Sequence, residues 1–181
     1  AGIYRPRAFV LEPDYLVDVS AVAECFKDFG TLPIYNLLKK YLPFTYSKHL
    51  MIGNIANFFL DELMTNPAAT FKETFPKVFQ LNPLAFATFE NSILREIMQS
   101  SQKHFINLKQ MVLTGFAKSD IIPEDCFLEP TFYSQKHGLQ GRLDIFYRKN
   151  KTTENEKNHS AIVELKSGKT FKPNKYGINH N

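Results

Sequence analysis

Two carboxylates and one ammonium stand out in the last third of this 181-residue chain. Asp144 lies in "GRLDIFY" (141–147), and Glu164 and Lys166 lie in "AIVELKSGK" (161–169). Both runs read as strands, and each sets one acid among apolar neighbours. Side chains in a strand alternate faces with period two. Glu164 and Lys166 therefore share one face, with Ala161, Val163 and Leu165 on the other, toward a core. By the same rule Asp144 and Phe146 share a face opposite Leu143 and Ile145. Pairing of the two strands brings Asp144 and Glu164 together. Two adjacent carboxylates repel, and one pKa rises unless a cation lies between them. A hard divalent ion such as Mg²⁺ or Mn²⁺ answers that charge, since it takes oxygen ligands and keeps several waters. Such an ion lowers the pKa of a bound water and polarises a phosphodiester, and Lys166 reaches the same cleft to hold that water or meet charge on a phosphate oxygen.

The elements that must carry this face follow from periodicity and punctuation. Residues 1–17 read as extended, broken by Pro6 and Pro13. "DVSAVAECFKDF" opens on a cap-like Asp18 or Ser20, and "LPIYNLLKKYLPF" is a short helix between Pro33 and Pro43. "SKHLMIGNIANFFLDELMTNP" is the clearest amphipathic helix: Ile52, Ile55, Phe59 and Leu63 recur at helical spacing and Pro67 ends it. "PLAFATFENSILREIMQSSQKHFINLKQMVLTGF" reads as one or two helices with a stripe of Ile93, Ile97 and Met98. From Ile121 the texture turns to strands. "CFLEPTFYSQ", "GLQGRLDIFYR" and "AIVELKSG" form a meander, and the polar "KNKTTENEKNHS" joins the last two as a hairpin loop. Helices first and strands after make an α+β fold, with N-terminal helices packed on a small mixed sheet. One domain over 1–181 is expected: a mainly helical part over 1–119, the meander over 120–169, and a tail over 170–181.

Composition narrows the classes. A hydrophobic fraction of 44% argues against disorder throughout, and a net charge of +4 is compatible with nucleic acid without requiring it. Cys25 and Cys126 are the only cysteines, too few for a four-thiolate zinc or iron–sulfur site within the chain. No apolar run approaches the length of a membrane helix and no signal-peptide layout opens the chain, so a cytoplasmic, soluble protein with no membrane partner is expected.

The ordered pair "GLQGRLD" and "ELKSGK" resembles the PD-(D/E)xK nuclease superfamily, and within it the RecB-like branch that includes the nuclease domains of nuclease–helicases. The resemblance is strongest over 127–169. It implies a restriction-endonuclease-like core and Mg²⁺- or Mn²⁺-dependent hydrolysis of DNA, with single-stranded or end preference, and a helicase domain in the same parent protein. It assigns metal binding to Asp144, Glu164 and the main-chain carbonyl of Leu165, and catalysis to Lys166 alongside the two acids. An upstream acid is common in the family, and Glu129 in "LEPTF" fits it. Three departures follow. Asn57 in "MIGNIANFFLDEL" stands where many members place a metal-binding His. Cys25 matches one cysteine of the iron–sulfur members without the others, so neither cluster nor zinc is expected. No "Q-x-x-x-Y" motif follows "KYGINHN", so the chain reads as truncated before that helix and as a poor nuclease by itself.

Rival readings stand beside this one. Asp144 and the Glu-x-Lys pair could be ordinary solvent-facing strand residues, and Glu129 an exposed acid. A nucleic-acid-binding or structural module that kept the fold and lost the chemistry is the alternative function. "SGKT" (167–170) is not a phosphate loop, because position 163 is Val where that motif needs Gly. The five histidines show no metal spacing. Gln140, Arg142 and Lys169 are the candidate nucleic-acid contacts, with Lys172, Lys175, Phe171 and Tyr176 in the tail beyond.

Overall fold

The computed structural model describes residues 16–26, 33–39, 41–43, 46–149 and 159–168. Lys169 and the aromatic and basic tail residues after it lie outside them, as does most of the polar loop before His159. The contacts divide into two compact units, one over 1–42 and 131–142, the other over 43–130 and 143–181. The architecture is α+β, as the order of patterns implies.

In the smaller unit a two-residue strand, β1 (Val17–Asp18), leads into α1 (Val19–Cys25), and α2 (Pro33–Lys39) follows. Pro33 opens α2 at the position where a missing N–H costs nothing. β1 pairs in parallel with β4 (Leu139–Arg142), and β4 pairs antiparallel with β3 (Thr131–Ser134), giving a mixed sheet in the order β1-β4-β3. Asp18 occupies the N-cap position of α1 but does not cap it; its Oδ1 accepts from Gln140 Nε2 at 3.0 Å across the β1–β4 pair. The turn into β4 needs Gly138, whose φ of 62° lies in the left-handed region.

The larger unit is built on α3 (Lys48–Thr65) and α6 (Asn91–Gln110). Ser47 caps α3 by accepting the Leu50 N–H at 3.2 Å. Its buried stripe runs Met51, Ile52, Ile55, Ala56, Phe59, Leu60, Leu63, which contains all four positions expected from the spacing. The α6 stripe is Ile97, Ser101, Phe105 and Leu108. Met98 is 46% exposed, so the expected Ile93–Ile97–Met98 stripe is corrected by one position. At 3.6 residues per turn the face holding Ile97 continues through i+4 and i+8, not through i+1. Past α6 the chain makes a π-type turn (Met111–Gly115) and a last helical turn.

Between them lie α4 (Phe71–Leu81) and α5 (Pro83–Thr88). The sequence reading passes over α4. Its signature is the Thr70-x-x-Glu73 start, where Glu73 Oε2 accepts both the Thr70 N–H at 3.1 Å and the Thr70 hydroxyl at 2.7 Å. These bonds hold the Glu73 carboxyl below its usual pKa. Pro76 inside the helix removes one backbone donor, a cost of about 3 kcal/mol in a helix interior. Burial of Thr74 and Val78 on the opposing side works against that cost.

Strand pairing departs from the three-strand meander. "CFLEPTFYSQ" is two strands, β2 (Cys126–Leu128) and β3, and "GLQGRLDIFYR" is likewise two, β4 and β5 (Ile145–Arg148). The first break has a visible cause. Glu129 has φ 47°, left-handed for a residue with a side chain, and Pro130 supplies no N–H. β2 and β5 pair antiparallel, and β5 pairs antiparallel with β6 (Ser160–Val163), so the second sheet has the order β2-β5-β6. Ile145 and Tyr147 are fully buried, and Leu128, Ala161, Val163 and Leu165 pack on the same core.

Candidate functional site

The strand registers place the acids. Ile145 is opposite Val163 on one side and Leu128 on the other. One residue further, at the common end of the three strands, Asp144 falls opposite Glu164 and Glu129. In the main chain, Glu129, Asp144 and Glu164 thus follow one another across the sheet end. Asp144 and Glu164 lie just beyond β5 and β6, not within them as the sequence pattern suggested. Of the expected core-facing neighbours, Ile145, Ala161, Val163 and Leu165 pack on the core. The acids sit where the ladder ends, Asp144 half-buried and Glu164 exposed.

Two backbone bonds fix Asp144. Glu129 N–H donates to the Asp144 carbonyl at 2.9 Å, which holds β2 to β5 at the break. Leu165 N–H donates to Asp144 Oδ2 at 2.6 Å, which ties the carboxylate to the segment after β6. Burial pushes the Asp144 carboxyl above its usual pKa; the Leu165 N–H pulls the other way, Glu164 adds to the rise, Lys166 opposes it, and Glu129 contributes least. Lys166 Nζ pairs with Glu164 Oε1. Both of these side chains are nearly half exposed, so the pair contributes little to stability.

Asp144, Glu164, Leu165 and Lys166 are therefore gathered at one sheet end. The main chain of Glu129 is bonded to Asp144, and its charge is felt there. Asn57 is half-buried on α3, one turn past Gly53. A Cβ added at Gly53 would lie 3.5 Å from Ser167 Oγ, so α3 approaches the motif segment at that turn. Gln140 and Arg142 belong to the smaller unit. Among the described residues, no group of three or more His, Cys, Asp and Glu side chains is disposed to hold a metal ion. The oxygens available at the sheet end are thus those of two carboxylates and the main chain, a set suited to a hard cation that keeps several waters.

The registers also reveal a row that the sequence reading did not single out. Phe127, Phe146 and Ile162 are opposite one another across β2, β5 and β6, on the face turned away from the core. Phe127 is 57% and Ile162 62% exposed. The signal is present in the alternation of "CFLE", "DIFYR" and "SAIVE", once the pairing register is known.

The raised Asp144 pKa has a consequence for stability in chelating buffer. A carboxyl whose folded pKa exceeds its unfolded one binds its proton more tightly in the native state. Its contribution to stability is present at low pH and is lost as pH rises through the folded pKa. Asp144→Asn keeps an acceptor for the Leu165 N–H and removes the charge. The variant is expected to melt higher than the wild type at pH 7 and to lose that advantage near pH 4. Thermal melts at the two pH values check this; a lower melting temperature for Asp144→Asn at pH 7 goes against it.

Set against family models, curated proteins and solved structures, the chain matches none. Among the described residues no helix is long and apolar enough to cross a membrane.

Proposed function

We propose that the sheet end holding Asp144, Glu164, Leu165 and Lys166 is the hydrolytic centre of a divalent-metal-dependent DNA nuclease with a restriction-endonuclease-like core. The observation that carries this reading is the bond from Leu165 N–H to Asp144 Oδ2. It brings the Asp strand and the Glu-x-Lys segment together with both carboxylates at one edge. The electrostatics support it. Asp144 is held where ionisation is disfavoured by burial and by Glu164, and a cation relieves both. The donors are all oxygens, which suits Mg²⁺ or Mn²⁺ and not a thiol- or imidazole-seeking metal. Asp144, Glu164 and the Leu165 carbonyl are the proposed ligands. Bound there, the ion supplies a water of lowered pKa and polarises a phosphodiester oxygen.

The chain's own groups do the rest. Leu165 N–H orients the Asp144 carboxylate through Oδ2. Lys166 brings three N–H donors to the same edge, for a phosphate oxygen or the attacking water. Hydrolysis joins the water oxygen to phosphorus and breaks the ester bond to the leaving sugar oxygen, which takes up a proton. Cleavage of a labelled oligonucleotide tests the reading: slow cleavage appears with Mg²⁺ or Mn²⁺ and disappears with chelator. Cleavage undiminished by chelator contradicts it.

One observation favours a second reading. Lys166 pairs with Glu164 and so offsets its charge from within the chain. A nucleic-acid-binding module with this fold and no hydrolytic function fits that pairing. DNA binding that persists in chelator, with no cleavage under Mn²⁺, selects it.

A further inference from the structure

Three groups follow one another along the strands of the β2-β5-β6 sheet. Asp144 and Glu164 lie just past one end of β5 and β6. Two residues along the strands, about 6.5–7 Å on, is the apolar row Phe127–Phe146–Ile162. Two residues further is the exposed Arg148, opposite Ser160. The rings of Phe127 and Phe146 have centroids 6.3 Å apart and planes inclined by 31°. Phe146 is half-buried, while Phe127 and Ile162 are more than half exposed.

We propose that Phe127, Phe146 and Ile162 form a stacking platform for an unpaired nucleobase beside the scissile phosphate. The proposal rests on the hydrolytic reading for the identity of its neighbour, and names the part of the substrate that the site takes. Three observations select this occupant. The patch begins two residues from Asp144 and Glu164 along the same two strands, so a strand whose phosphate lies at those acids meets the rings next. Arg148, at the far side of the rings, supplies positive charge where the backbone continues, in a chain of net charge +4. The patch is also small. Three partly exposed side chains offer a few hundred Å² at most, well short of the roughly 1,200–2,000 Å² of a stable protein interface. That area suits a base face, and aromatic stacking tolerates any base. Bases in a duplex already stack on their neighbours, so the platform takes an unpaired strand.

The test measures fluorescence anisotropy of a labelled thymidine oligonucleotide, an abasic strand of equal length and a blunt duplex, all in chelator so that cleavage does not enter. Phe127→Ala removes an exposed ring, and Phe127→Trp restores a stacking surface; a thermal melt of each confirms folding. Phe127→Ala is expected to weaken thymidine-strand binding by roughly 5- to 100-fold. Phe127→Trp retains it, and the abasic strand binds weakly to wild type and variant alike. The proposal is overturned if the wild type does not bind the thymidine strand. It is equally overturned if Phe127→Ala binds it as well as wild type, or weakens the abasic strand by the same factor. A wild-type dimer that becomes monomeric in Phe127→Ala, with strand binding unchanged, makes the patch a self-interface instead. The two readings separate cleanly. Base-dependent binding without Mn²⁺-dependent cleavage keeps the platform and removes the nuclease. Cleavage with binding indifferent to Phe127 does the reverse.

Discussion

Asp144→Ala and Glu164→Ala are each expected to reduce metal-dependent cleavage by more than the roughly 10²–10³-fold typical of losing one preorganised donor. Each removes a charged oxygen ligand from a set with only two carboxylates, and a hard cation bound by so few protein groups cannot spare one. Asp144→Ala also strips the Leu165 N–H of its acceptor at 2.6 Å, so the Glu-x-Lys segment loses its tie to β5. Lys166→Ala behaves differently. It removes donors that act on water or phosphate, at a cost of roughly 10²–10³-fold in rate. Metal affinity is retained or improved, because Glu164 is freed from its pairing with the ammonium. Measuring the rate and the Mn²⁺ affinity of all three variants separates ligand loss from donor loss. Wild-type rates in either carboxylate variant contradict the assignment.

Phe59→Ala is expected to destabilise the larger unit by about 3–5 kcal/mol, the usual cost of truncating a buried Phe. Phe59 is fully buried at the centre of an aromatic cluster. Its ring meets Phe105 of α6 edge-on at 5.2 Å and Phe71 of α4 at 5.9 Å. One side chain therefore links α3, α4 and α6. The loss of edge-to-face contacts adds to the lost burial and to the cavity left behind. For a chain of this size the melting temperature should fall by roughly 6–20 °C. Met98→Ala on α6, with its side chain 46% exposed, is the control and should shift it little. Equal effects of the two variants go against the corrected α6 stripe.

The parts of this molecule legible in its sequence are those where one physical signal acts alone. The α3 stripe is an uninterrupted helical repeat with a Ser cap and a Pro stop, and all four expected positions are buried. In "SAIVELK" nothing competes with strict alternation, and Ala161, Val163 and Leu165 do pack on the core. Where two signals conflict, the stronger one decides. Pro76 argues against a helix, yet α4 forms, started by the Thr70–Glu73 bonds and kept by burial of Thr74 and Val78. "CFLEPTF" alternates like one strand, but the left-handed Glu129 and the donorless Pro130 divide it. The Phe127–Phe146–Ile162 row was hidden for another reason. It depends on register across three strands, and register is a non-local quantity that alternation within one strand does not contain.

The most direct measurement is a Mn²⁺ titration of the chain by calorimetry at neutral pH, on the wild type and on Asp144→Ala and Glu164→Ala. Binding then reports on the site itself, independent of whether substrate is held well enough to be cut. A hydrolytic centre at Asp144 and Glu164 predicts saturable Mn²⁺ binding by the wild type that is lost in each variant while the fold is retained. Absence of Mn²⁺ binding by the wild type, or binding unchanged in both variants, contradicts it.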